Sequence, residues 1–240
     1  MADVDGDGRL DLLTGSDNCC DNEPGFFWFG RDVLGRFIAR PKVRVKVGDD
    51  SRGFMPRLMV ALADWEGNGR LDIVAVLSPT RPGLYHSRGV WSPYEPVGAT
   101  HPVEGSPNSV GTQPCIVDWD RDGRLDLVYE ADRCPADGTV VFSEVVWHRN
   151  IGAAGVPRLS EPRRLTTLPA LETASGLSVG DWDSDGWPDL IVGYTRASLE
   201  GGSYRYVAAG IRVYPRRLAS PREPARVDDK GAKPGRHAAL

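Results

Sequence analysis

Apolar residues in this chain gather in short runs separated by glycine, proline and charged residues, and four of the runs are entered from an acidic loop. The runs are Leu10-Asp11-Leu12-Leu13, Leu71-Asp72-Ile73-Val74-Ala75-Val76, Leu125-Asp126-Leu127-Val128-Tyr129 and Asp189-Leu190-Ile191-Val192-Gly193. They are brief, aliphatic or β-branched, and end in turn residues, which predicts buried strands. A second segment carries an apolar–aromatic pair: Phe27-Trp28, Leu84-Tyr85, Val146-Trp147 and Val213-Tyr214. A third places proline near an aliphatic residue, at Pro41-Lys42-Val43, Pro96-Val97, Pro162 to Leu165 and Pro224 to Val227. Proline belongs at the start of a strand or on a sheet edge, so this segment predicts an outermost strand. A fourth run leads into the next acidic loop: Leu58–Ala63, Cys115–Val117 and Leu177–Gly180. No stretch shows a helical period. The pattern predicts a repeated unit of four strands, A, acidic loop, B, C and D.

The loops read Asp3-Val-Asp5-Gly-Asp7-Gly-Arg9-Leu-Asp11, Asp64-Trp-Glu66-Gly-Asn68-Gly-Arg70-Leu-Asp72, Asp118-Trp-Asp120-Arg-Asp122-Gly-Arg124-Leu-Asp126 and Asp181-Trp-Asp183-Ser-Asp185-Gly-Trp187-Pro-Asp189. Oxygen side chains stand at loop positions 1, 3, 5 and 9, and glycine at position 6, in every copy. Calcium takes about six to eight oxygen ligands, which a short loop supplies only by turning sharply, and glycine permits that turn at positive φ. The predicted side-chain ligands are Asp3, Asp5, Asp7 and Asp11; Asp64, Glu66, Asn68 and Asp72; Asp118, Asp120, Asp122 and Asp126; and Asp181, Asp183, Asp185 and Asp189. The main-chain carbonyls of Arg9, Arg70, Arg124 and Trp187 would add an oxygen each. About four Ca²⁺ sites follow. An EF-hand is excluded, because it needs flanking helices and a glutamate at its twelfth position, where this chain has Thr14, Ala75, Tyr129 and Val192.

The loops begin at residues 3, 64, 118 and 181, at intervals of 61, 54 and 63. A period of this size marks a repeated supersecondary unit, and four-stranded units rich in glycine and proline are the form of propeller blades. On these loops and strands the chain resembles the FG-GAP/VCBS repeat family, which includes the propellers of integrin α subunits. The resemblance covers residues 1–228, with 229–240 expected to be a disordered polar tail. It implies an all-β propeller of four-stranded blades with the calcium loop joining strands A and B. It also implies an extracellular, cell-surface or periplasmic location. The first unit has no strand A of its own and the tail has no strand character. The expectation is therefore a partial, open propeller belonging to a longer parent chain with further blades. A closed ring of four blades is the alternative.

Charge modifies this picture in one respect. The formal net charge is −4, but fifteen of the 33 acidic residues are loop ligands. Four bound calcium ions would reverse the sign, so the acidity is no argument for a cationic partner. Basic residues are scattered, the densest pairs being Arg163-Arg164 and Arg216-Arg217, and no basic, aromatic-laced stripe suggests nucleic acid. No apolar run reaches transmembrane length. The four cysteines form no disulfide framework; Cys115 reads as a core thiol, and Cys19, Cys20 and Cys134 lie in loops with no zinc spacing.

The one catalytic-looking motif is Gly176-Leu-Ser178-Val-Gly180, but a hydrolase serine needs a strand-to-helix elbow and this one precedes a loop. His86 and His148 each follow the strand C marker, which suggests repeated packing. Trp65, Trp119 and Trp182 share loop position 2 and read as packing between units, although sugar stacking is the other reading. The longest irregular segments, Ser16–Gly25, Ala131–Thr139 and Thr195–Tyr206, follow strand B and are candidate contact loops. No set of side chains outside the loops converges on a reaction. The expected function is a calcium-binding scaffold for a protein or polysaccharide ligand. The alternative is the propeller part, catalytic or not, of a polysaccharide-degrading lyase or hydrolase.

Overall fold

The computed structural model describes residues 3–15, 25–41, 43–44, 59–69, 71–76, 84–87, 100–102, 104, 114–133, 142–200 and 203–216. These residues form four antiparallel sheets and no helix. The first unit holds β1 (Leu12–Gly15), β2 (Gly25–Arg31), β3 (Phe37–Ala39) and β4 (Val43–Arg44), with both β3 and β4 paired to β2. The second holds β5 (Met59–Ala63), β6 (Asp72–Val76), β7 (Leu84–Ser87) and β8 (Thr100–Pro102) in that spatial order. The third repeats it with β9 (Cys115–Val117), β10 (Asp126–Arg133), β11 (Phe142–His148) and β12 (Arg163–Thr167). The fourth has β13 (Glu172–Gly180), β14 (Asp189–Glu200) and β15 (Ser203–Tyr214). Sequence order equals spatial order in the second, third and fourth sheets; the second and third are A-B-C-D meanders as the repeat predicts, and the fourth shows strands A, B and C among the described residues.

Residues of a strand alternate between sheet faces, and this alternation assigns each loop-to-strand position a neighbour. Val74 and Trp65 of the second unit pack with Leu127, Tyr129 and Val146 of the third in one core. Trp119, Val128, Val145 and Trp147 of the third pack with Leu190 and Val192 of the fourth in the next. Loop positions 2 and 11 thus face the following unit, and positions 10 and 12 face the preceding one. Strands β5 and β9, and β9 and β13, are neighbours, so the A strands of successive units lie side by side. Polar contacts add to the apolar ones. Glu104 and Arg158 form a parallel bridge between the second and third units, and Ser143 Oγ accepts from Ala174 N at 2.9 Å between the third and fourth.

Some expectations are corrected. Thr195–Tyr206 is no irregular loop: β14 and β15 continue through it as a hairpin paired from Leu190↔Tyr214 to Glu200↔Ser203. The described part of the third unit's candidate loop, Ala131–Arg133, likewise belongs to β10. Strand D of the second unit is β8, beyond the Pro96-Val97 marker, which lies outside the described residues. The strand C markers are also out of register. Trp28 and Trp147 stand opposite position 11, at Leu13 and Val128. Opposite position 11 in the other units stand His86, at Val74, and Val213, at Ile191. His86 therefore matches Trp147 and not His148, and a one-residue slip changes the sheet face. Cys19, Cys20, Cys134, Arg70, Arg217 and the tail from residue 217 lie outside the described residues.

Candidate metal centres

Each acidic loop is built from the same two fixtures. The first is the carboxylate of position 1, which gathers the loop's own amides. Asp3 accepts from Gly6 N and Asp7 N on Oδ1, at 2.8 and 3.0 Å, and from Gly8 N on Oδ2 at 2.8 Å. Asp64 accepts from Asn68 N and Gly69 N, at 2.8 and 2.7 Å. Asp118 does the same for Asp122 N and Gly123 N, at 3.0 and 2.9 Å. Asp181 accepts from Gly186 N at 3.0 Å. These bonds curl the chain around one point. The position-6 glycines take the left-handed conformation the sequence predicts, with φ of 83° at Gly8, 80° at Gly69, 86° at Gly123 and 85° at Gly186. Position 4 is left-handed as well: Gly6 and Gly67 supply it in two loops, but Arg121 and Ser184 do so in the others at φ 61° and 62°.

The second fixture is the carboxylate of position 9. Asp11, Asp72, Asp126 and Asp189 are all buried. One oxygen of each accepts from the position-2 amide: Val4 at 2.9 Å, Trp65 at 2.9 Å, Trp119 at 3.2 Å and Trp182 at 2.8 Å. In three units the other oxygen accepts from an amide just past strand C or at its end: Arg31 at 3.1 Å, Asn150 at 2.7 Å and Arg216 at 2.7 Å. Position 9 therefore ties the loop to strands B and C, a structural role that ligand counting did not foresee. In the second unit Asp72 Oδ1 has no hydrogen-bond partner among the described residues. Burial foremost pushes the Asp72 and Asp126 carboxyls up to about 6.

The carboxylates converge in three of the loops. Asp3, Asp5 and Asp11 bring ligand oxygens within 4.8 Å of one another; so do Asp118, Asp120 and Asp122, and Asp181, Asp183 and Asp189. In the second loop no three carboxylates meet in this way among the described residues, and Glu66 instead accepts from Asn68 Nδ2 at 3.2 Å. The remaining position-5 carboxylates bond their own loop. Asp7 and Asp185 accept from the position-7 amides of Arg9 and Trp187, at 2.9 and 2.7 Å. Arginines neutralise part of the charge: Arg9 pairs with Asp7, Arg124 with Asp122 at 2.9 Å, and Arg149 with Asp120 at 2.8 Å and Asp122 at 2.7 Å. At Asp122 burial pushes upward, but the bonds from Arg124 and Arg149 together outweigh it and hold the carboxyl below its ordinary value. The donor set fits a hard divalent cation, since every side-chain donor is oxygen. One buried oxygen in the cluster of the third unit, Asp120 Oδ1, has no hydrogen-bond partner among the described residues.

A model of the FG-GAP-like repeat matches the chain twice, over residues 3–75 and 64–129, which together span more than half of its 240 residues. The chain belongs to the FG-GAP-like repeat family. Each match runs from one acidic loop to strand B of the next unit, so the family's repeat overlaps the junction between sheets. The fourth loop of this FG-GAP-like chain lies beyond the matched residues, yet it has the same two fixtures. No curated protein and no solved structure matches the chain at a significant level.

The other candidates fall into structural roles or are left without a reaction partner. Gly176–Gly180 lies within β13, where Ser178 stands opposite Ile191, and no elbow is formed. His148 is buried, with Nδ1 2.7 Å from the carbonyl of Ser160 and Nε2 3.3 Å from the Tyr129 hydroxyl. Cys115 is half-buried, its thiol 3.5 Å from the Leu177 carbonyl and pushed up to about 11 by burial. Trp65 and Trp119 are packed between units. Among the described residues no helix is long and apolar enough to cross a membrane. Sequence reading missed the buried cluster of Glu172 with Arg196 and Arg212. Its members are far apart in sequence and only the β13–β14–β15 register brings them together.

Proposed function

We propose that this FG-GAP-like chain is a calcium-loaded module of propeller type. In this reading its sheets are blades, its loops hold Ca²⁺, and it serves as a non-catalytic scaffold for a protein or polysaccharide ligand outside the cell or in a periplasm. The observation that supports it is the convergence of three carboxylates at the same place in three units, within 4.8 Å. Like charges held so close repel one another, and a divalent cation removes that cost. The reading also suits the compartment. Extracellular calcium modules bind at about 10⁻⁴–10⁻³ M. With Kd about 0.1 mM and calcium about 1 mM, each site would add about 1.4 kcal/mol to stability. Submicromolar calcium would add almost nothing.

Two measurements test the reading. Isothermal titration should find about four calcium sites, the number of acidic loops. Chelation should lower the melting temperature sharply. An unchanged melting temperature in chelator and in about 1 mM calcium would make the loops ordinary turns.

A further inference from the structure

The third acidic loop is bound by a cation that the first and fourth loops lack at the matching place. Arg149 stands just past β11, and its guanidinium reaches back to two of the three carboxylates that converge there. Nε lies 2.8 Å from Asp120 Oδ2, and Nη2 donates to Asp122 Oδ2 at 2.7 Å. The next residue fixes this place, because the amide of Asn150 is tied to Asp126 Oδ1 at 2.7 Å. The corresponding amides of the first and fourth units belong to Arg31 and Arg216, tied to Asp11 and Asp189. The residues before them are Gly30 and Pro215, which carry no charge. Other arginines near the third loop do not set it apart in this way. Arg124 pairs with Asp122 as Arg9 pairs with Asp7 in the first loop, and Arg216 donates to the main-chain carbonyl of Trp119.

We infer, on the reading of the loops as calcium sites, that Arg149 is a built-in competitor of calcium at the third loop. It lowers that loop's affinity for the ion and holds the loop in shape when calcium is scarce. Asp120 and Asp122 are two of the four side-chain ligands there, and an oxygen lone pair engaged by a guanidinium is withdrawn from a metal ion. A guanidinium and a doubly charged ion on the same carboxylates also repel, and charges about 4 Å apart interact appreciably even in water. The guanidinium meanwhile relieves the mutual repulsion of Asp118, Asp120 and Asp122, the same relief that a bound cation gives. Arginine suits this task, since it keeps its charge and presents forked donors to carboxylates. Arg149 is also free to leave. Its side chain is 42 % exposed, against 19 % and 16 % for Asp120 and Asp122, so it can swing into solvent while the carboxylates stay in place. The competition therefore tunes the site and does not close it.

Isothermal calcium titration of the full chain, paired with thermal unfolding in chelator, tests this. Arg149→Gln removes the charge at a half-exposed position and keeps an amide donor. It should tighten one calcium site by about ten-fold and leave the others unchanged. In chelator the same variant should melt about 2–4 °C lower, because the loop has lost its own cation. An arginine with a merely structural role would lower stability and tighten nothing. Arg149→Lys keeps the charge and should titrate much as wild type does. Arg158→Gln changes an exposed arginine of the same unit, 3.8 Å from Glu104, and should tighten no site, which separates local competition from net charge. Filled sites of which none is tightened by Arg149→Gln would overturn the inference and leave the calcium reading standing. Equal tightening by Arg149→Lys or by Arg158→Gln would overturn it as well. A protein that takes up no calcium in any of these forms would sink the calcium reading itself, and the competition with it.

Discussion

The indole Nε1 of Trp65 donates to the carbonyl oxygen of Leu125 at 2.7 Å, joining two loops sixty residues apart. The bond anchors a ring that also fills the apolar contact between the second and third units. Trp65→Phe should cost about 1 kcal/mol, one hydrogen bond, with the carbonyl keeping Asn150 Nδ2 at 3.2 Å as donor. Trp65→Ala should cost about 3–5 kcal/mol, the range for emptying a core aromatic site. Trp182→Ala, at the same loop position but exposed, should change the stability of the monomer by less than about 0.5 kcal/mol. Denaturant unfolding at low protein concentration reads all three, and equal losses at Trp65 and Trp182 would refute the assignment of faces.

Loop position 4 carries backbone strain in the last two units. Ser184 sits at φ 62°, a conformation that costs an L-residue about 1–2 kcal/mol. Ser184→Gly should therefore stabilise the protein by about 0.5–1 kcal/mol, after the entropy that glycine loses on folding. Gly186→Ala should destabilise it by about 1–2 kcal/mol, because position 6 is left-handed at φ 85°. Thermal unfolding of both variants checks the opposite signs.

The unit and its loops were legible in the sequence because their signals are local. Asp, Gly and an apolar run recur at fixed offsets, and β9 begins and ends at the residues predicted. Strand C was less legible, since register depends on pairing: the aromatic markers of the second and fourth units are one residue out of step with Trp28 and Trp147. The long β14–β15 hairpin looks like a loop in the sequence because Ser198, Glu200, Gly201 and Gly202 are poor strand formers. Its cross-strand ladder overrides them through Leu199↔Tyr204 and Glu200↔Ser203. Position 9 shows in the sequence only as a ligand. Its second role depends on amides of Asn150 and Arg216, more than twenty residues away, which no local motif reveals.

Glu172 is fully buried and holds two guanidiniums, Arg196 and Arg212. Burial pushes its carboxyl upward, but bonds from Arg212 and Arg196 win and leave it below the ordinary value. Its contribution is thus full above the ordinary carboxylate pKa near 4.5 and is lost as pH falls through the lower folded value. Glu172→Gln should cost about 2 kcal/mol at neutral pH, less than a fully buried pair because the arginines reach solvent. It should also flatten the acid limb of the stability curve. An unchanged limb would deny the carboxylate its charge.

His148 adds a term near neutral pH. Burial lowers its pKa from the ordinary 6.5, opposed by the Ser160 carbonyl and the charge of Glu161. The unfolded chain then takes up the proton first, so stability is full above about 6.5 and declines as pH falls toward the folded value. His148→Gln should remove that part of the slope, measured as the difference between variant and wild type in denaturant unfolding at pH about 5 and about 7. Equal slopes would show that His148 titrates alike in both states.

The two fixtures of the loop can be separated by substitution in chelator. Asp126 accepts from Trp119 N, Trp147 Nε1 and Asn150 N, at 3.2, 3.0 and 2.7 Å. Asp126→Ala leaves three donors without their acceptor, and a buried unsatisfied group costs about 1–3 kcal/mol. A loss of about 3–5 kcal/mol is expected even without calcium. Asp122 carries its bonds at the loop surface, so Asp122→Ala should stay within about 1 kcal/mol of wild type in chelator. In calcium it should lose about a further 1.4 kcal/mol, one site's share. The Asp126 carboxyl, raised to about 6, adds a check of sign. A folded value above the ordinary one favours the protonated form, so this contribution is full at low pH and lost as pH rises through about 6. In chelator Asp126→Ala should therefore cost more at pH about 5 than at pH about 7. If Asp126→Ala matches wild type in chelator and differs only in calcium, position 9 is a ligand alone and its tie between strands contributes nothing.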